Sequence, residues 1–219
     1  MKIIGVVRDV DPDLDAVLAL VAPRVVVHRP HPDEPAEQPA DVHAVIVAWG
    51  DDEPDPAAIA AWAPGGRVDA YRVDEHVQID AGLEPADGDE PPGLCRLVFV
   101  RRLPTLTRSE MAAHWTERHT PIVHRHHPGF WQYVQNVVVA PLTPDAPEVD
   151  GIAEMRFRSA TDLRERFYDS EAGQRVVAED VAQFLDRGAG WRILSRDTWV
   201  RADRAGGAPD PSQTRRWRG

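Results

Sequence analysis

Cysteine is nearly missing. One thiol, Cys95, stands in 219 residues, which excludes an internal disulfide framework and any multi-cysteine metal site. Beside Leu94 and Leu97 at a strand start, it reads as a packed thiol rather than a nucleophile. Long apolar runs are missing too: nothing approaches the roughly 18 residues that a membrane span needs. No membrane partner is expected. The opening Met1-Lys2-Ile3-Ile4-Gly5-Val6-Val7-Arg8 reads as a strand, too short for a secretion signal, and a reducing cytoplasm is the expected setting. Positive charge is scarce early on: residues 1–93 hold 20 acids against 6 bases. Such a surface repels nucleic acid. Residues 94–219 hold 19 bases against 16 acids, scattered rather than striped, so no nucleic-acid groove is expected there either. No phosphate-cradling glycine loop, dinucleotide fingerprint or serine nucleophile elbow occurs, and no cofactor is expected.

What is present suits an ordinary globular core, with 42% hydrophobic residues and a net charge of −11. The most informative stretch runs from Arg96 to Asn136. Leu97-Val98-Phe99-Val100 is a short apolar run of strand type. Thr107 with Glu110 three residues on is a capping box, so a helix begins there and runs to about His127. Met111, Trp115, His119 and Ile122 fall at steps of four, four and three, which predicts one buried helical face with His119 on it. After Pro128-Gly129 a strand carries Tyr133.

The rest reads in the same terms. Strands are predicted over 1–8, 24–28, 43–49 and 68–79, with short helices from Leu14 and from Asp55-Pro56. That order is βαββαβ, and the second half repeats it. Strands are predicted over 96–102, 130–139, 152–157 and 191–200. A second helix, capped at Ser159 and interrupted near 170–173, carries Val176, Asp180, Val181 and Phe184. The self-similarity predicts an α+β chain of two tandem ferredoxin-like βαββαβ units, packed sheet on sheet as a fused dimeric α/β-barrel. The expected boundaries are a first unit at 1–81, an acidic Pro/Gly linker at 82–93, a second unit at 94–202 and a disordered tail at 203–219. The pseudo-dimer lies within the chain; a further homodimer is an open alternative.

Several pieces in this order resemble the EthD family of the dimeric α/β-barrel superfamily. They are Leu97 to Arg102, His114-Trp115 through His119-Thr120-Pro121, Tyr133 to Asn136, Asp150 to Glu154, and Asp180 with Phe184. The resemblance covers about residues 95–202. It implies cofactor-independent chemistry on a small hydrophobic, aromatic or polyketide-like carbonyl compound: cyclisation, dehydration or isomerisation. A cofactor-free monooxygenase and a non-catalytic accessory protein of an oxidative pathway are the alternatives.

The candidate residues follow from placement. An imidazole on an apolar stripe is pushed toward its neutral, proton-accepting form, and the resemblance implies that His119 is the acid/base in a pocket there. Asp180, on the second helix's stripe, is the expected orienter of His119 or second acid/base. Tyr133 is the expected carbonyl donor. Trp115, Trp131, Ile122, Phe184 and Glu154 are the expected substrate contacts, with Glu154 alternatively paired to an arginine between the sheets. His114, His124, His126 and His127 lack metal-ligand spacing: His114 and His119 are five apart, off-face on an α-helix, so no metal is expected. His28, His43 and His76 read as structural or surface groups, and only the second half is expected to keep a pocket.

Overall fold

The computed structural model describes residues 1–20, 24–32, 39–83, 86 and 88–201. The expected tail at 203–219 lies outside these residues, as do parts of the loop after His31 and of the linker. The elements follow as β1 (Lys2–Arg8), α1 (Leu14–Leu20), β2 (Arg24–Pro30), β3 (Val42–Trp49), α2 (Pro56–Ala60) and β4 (Arg67–Ile79). The second set is β5 (Leu94–Val100), α3 (Arg108–Ala113), a π-helical turn (His114–His119), α4 (Thr120–His126), β6 (Gln132–Pro141), β7 (Gly151–Phe157), α5 (Ala160–Glu165), α6 (Glu171–Val181) and β8 (Trp191–Arg201).

All eight strands form one closed antiparallel barrel in the order β1-β3-β2-β8-β5-β7-β6-β4. Each half contributes four adjacent strands. The expectation of two sheets lying on one another needs correcting in one respect. The sets also hydrogen-bond edge to edge, through β2 with β8 and β4 with β6. Closure satisfies the backbone donors and acceptors that a free edge would leave to solvent.

Alternation along each strand sorts the core into three layers. Ile4, Val6, Val26, Val47, Val73, Leu97, Phe99, Ile152 and Ile193 fill the lumen. Ile3, Val7, Val25 and Ile46 face outward beneath α1 and α2, with Trp62 and Ile59. Leu94, Val100, Tyr133, Ala153 and Phe157 face outward beneath the second half's helices, with Met111, Trp115 and Phe184. Strand β1 is buried along its whole length because both its faces are covered, which is why it reads as a continuous apolar run. Thr107 and Glu110 form the predicted capping box, and Asp55 caps α2 ahead of Pro56.

Candidate functional site

The first long helix is not a uniform α-helix. Between α3 and α4, residues His114–His119 form a π-helical turn, which takes about one residue more per turn than the α form. Two consequences follow. His114 and His119, five apart, come to one side. The buried face also slips by one position, so that Thr120 and Val123 are buried while Ile122 is half-exposed. The predicted stripe holds through His119, and Val123 takes the core place expected of Ile122.

The turn aims both rings at α6. His119 Nδ1 lies 2.7 Å from Asp180 Oδ2, and His114 Nε2 lies 2.9 Å from Asp180 Oδ1. One carboxylate thus spans two imidazoles. His119 and Asp180 are both buried, at 6% and 7% exposure. Burial holds the His119 pKa below its ordinary value, and Asp180 opposes that shift. A neutral His119 ring donating its Nδ1 proton to Asp180 carries its lone pair on Nε2. On α6 the buried positions are Gly173, Val177 and Asp180; Val176, predicted on the same stripe as Asp180, is 41% exposed. Helix α6 ends at Val181, and Phe184 lies just beyond it. The Phe184 ring stacks on His114 at 4.6 Å and tilts against His119 at 5.4 Å.

The hollow expected beside His119 is filled. Trp115 donates to the Tyr133 hydroxyl at 2.9 Å, and Gln135 Nε2 donates to that hydroxyl at 3.1 Å and to the Trp115 carbonyl at 3.0 Å. A Cβ on Gly151 would lie 2.3 Å from Trp115 Cζ3, so the indole rests directly on the β7 backbone. Five cavities among the described residues, of about 580, 460, 380, 260 and 190 Å³, are lined without His119, Asp180, Tyr133 or Trp115. The 380 Å³ cavity is the nearest in sequence. Its lining includes Val98, Val100, Met155, Phe167, Val181 and Leu185 together with the charged Arg96, Asp186, Arg187 and Arg192; Val181 and Leu185 directly follow Asp180 and Phe184.

The other expected contacts are elsewhere. Trp131 lines a surface cleft and lies under the Arg158 guanidinium at 5.1 Å. Glu154 points into the barrel lumen, where it accepts from Lys2 at 2.6 Å and from Asn136 at 2.9 Å. Its partner is thus a lysine of the first half rather than the expected arginine. Arg156 binds Asp197 instead, with both guanidinium nitrogens. His127 donates to the Phe167 carbonyl, and burial pushes its pKa down to about 4. It is a neutral core group. Sequence reasoning missed His114, discarded because five-residue spacing is off-face at 3.6 residues per turn. His28, read as a structural or surface group, is 1% exposed inside the barrel.

Residues 103–188 match the EthD domain family. No curated protein matches the chain. Among solved structures, an anthrone oxidase-like protein superposes with a TM-score of 0.56 at 12% identity, over 95% of this chain and 96% of that one. A Fusobacterium nucleatum protein with a provisional monooxygenase name superposes with a TM-score of 0.51 at 7% identity, over 91% of each chain. At such identities the likeness establishes the fold alone.

Proposed function

We propose that this chain, with an EthD match over residues 103–188, is a small-molecule enzyme working by cofactor-independent acid/base chemistry. We read it as two fused ferredoxin-like units, 1–81 and 94–202, joined by the linker at 82–93. The observation that carries the functional reading is the buried Asp180 carboxylate held between His114 and His119. Such a carboxylate fixes the ring's tautomer and stabilises the imidazolium formed when the ring takes a proton. In this reading Nε2 of His119 removes a proton from carbon next to a carbonyl and returns it elsewhere on the substrate. The outcome is cyclisation, dehydration or isomerisation of a hydrophobic aromatic or polyketide-like compound. The substrate lies in the 380 Å³ cavity, whose lining mixes apolar side chains with Arg96, Asp186, Arg187 and Arg192, and its approach to His119 requires Phe184, packed on both His rings, to move. Tyr133, whose hydroxyl already receives two donors, holds Trp115 in place rather than polarising the carbonyl.

The test is turnover of an aromatic polyketide by wild type, His119→Ala and Asp180→Asn. Loss of a general base lowers the rate about 10²–10⁴-fold. Because Asp180 raises the His119 pKa, Asp180→Asn moves the acid limb of the rate profile to lower pH. Unchanged turnover in folded His119→Ala removes that ring from the mechanism. A variant in which the substrate carbanion reduces O₂ is compatible with the oxidase-like and monooxygenase names of the two structural relatives; oxygen uptake during turnover distinguishes it. Ligand binding without turnover, indifferent to His119→Ala, identifies an accessory binding protein instead.

A further inference from the structure

The barrel lumen holds polar atoms that the His119 chemistry does not use. A cavity of about 260 Å³ opens at one end, lined from the first half by Arg24, His28, Trp49 and Glu75 and from the second by Glu154 and Trp199, among others. Ser195 commits its hydroxyl proton to the Cys95 carbonyl at 2.9 Å. Its oxygen therefore accepts from His28 Nδ1, 3.2 Å away. That fixes the tautomer of a neutral ring and leaves the lone pair on Nε2. Nε2 is buried and has no hydrogen-bond partner, and the same is true of the Trp199 indole nitrogen and of Asn136 Oδ1. Buried polar atoms are rarely left unpaired. The ladder pairs His28 with Asp197 and Val26 with Trp199, so His28 and Trp199 are diagonal neighbours on one face, within reach of a single guest.

Charge narrows the class of guest. Lys2 bridges Glu75 and Glu154 at 2.6 Å each, Arg156 pairs with Asp197 at 2.6 Å, and Arg24 lies over Trp49 at 3.8 Å and Trp199 at 5.0 Å. Lys2, Arg156 and Arg24 stand against Glu75, Glu154 and Asp197, and Asp80, exposed at the rim as Glu75 is, also lines the cavity. The lining therefore carries no surplus positive charge to attract an anion. Its walls combine the indoles of Trp49 and Trp199 and the side chains of Val26 and Val134 with polar groups, among them His28, Gln132, Glu154 and Arg156. Its volume is below the roughly 300–1,000 Å³ of drug-sized pockets.

We propose that this end of the lumen is a second small-molecule site, separate from His119, for a neutral hydroxylated aromatic of one or two rings. The guest's hydroxyl donates to His28 Nε2 and accepts from the Trp199 indole N–H.

Calorimetric titration of the full chain with 2-naphthol and with 2-methoxynaphthalene tests it. The ether cannot donate, so 2-naphthol is expected to bind about tenfold tighter or better. His119→Ala leaves that binding unchanged, and Val134→Trp, which fills the cavity, removes it. Equal binding of the two probes, or none by either, overturns the proposal whatever the variants do. Binding that survives in folded Val134→Trp, or is lost in His119→Ala, places the guest elsewhere and overturns it too.

Discussion

Three imidazoles behave alike at the scale of the residue. His28, His119 and His127 are all held below the ordinary value near 6.5, burial being the main cause, with His127 reaching about 4. The unfolded chain therefore binds more protons than the folded one between those limits. Stability rises with pH across that window and is lost as pH falls from about 6.5 toward 4. His127 alone accounts for at most about 3 kcal/mol of it. Urea midpoints at pH 7 and pH 5 should differ less for His127→Gln than for wild type; an equal drop would mean that the ring is not buried neutral. The Arg156–Asp197 pair is a second residue-scale case. Asp197→Ala leaves a guanidinium uncompensated inside the barrel, which costs about 3–5 kcal/mol, measurable in the same titration.

Among the elements, the π-helical turn decides most. Gly151→Ala pushes a methyl into Trp115, the residue that opens the turn's buried face, and overpacking of this kind costs about 1–3 kcal/mol. Thermal melts check the loss, and the Trp115 fluorescence should change with it. The same turn marks where the sequence stopped being legible. The strands and the capping box could be read, since periods of 2 and 3.6 and the Thr107–Glu110 spacing are local signals; Asp180 could be placed on its helix's stripe, while its contact with His119, 61 residues away, is a tertiary one that no local period gives. His114 and Val123 could not be read. A π turn has no composition of its own, and one inserted position silently reassigns every side chain after it. The lumen was hidden for another reason. Its polar lining comes one to three residues at a time from β1, β2, β4, β6, β7 and β8, and only closure of the ring brings Lys2 to Glu154 or His28 to Ser195.

For the whole molecule, the halves depend on each other through two seams. Residues 94–201 expressed alone would present β6 and β8 with unpaired edges and an uncovered lumen face. That fragment is expected to pair with itself or aggregate, and size-exclusion chromatography with light scattering reads the outcome. A well-folded monomer would contradict the dependence of one half on the other. The ring also fixes where the first and last strands sit. β1 lies between β3 and β4, and β8 lies between β2 and β5. Neither the first nor the last strand hangs at a margin, so a tug on either must rupture two ladders at once. Mechanically, the barrel resists fraying from its termini in a way that an open sheet of the same strands could not.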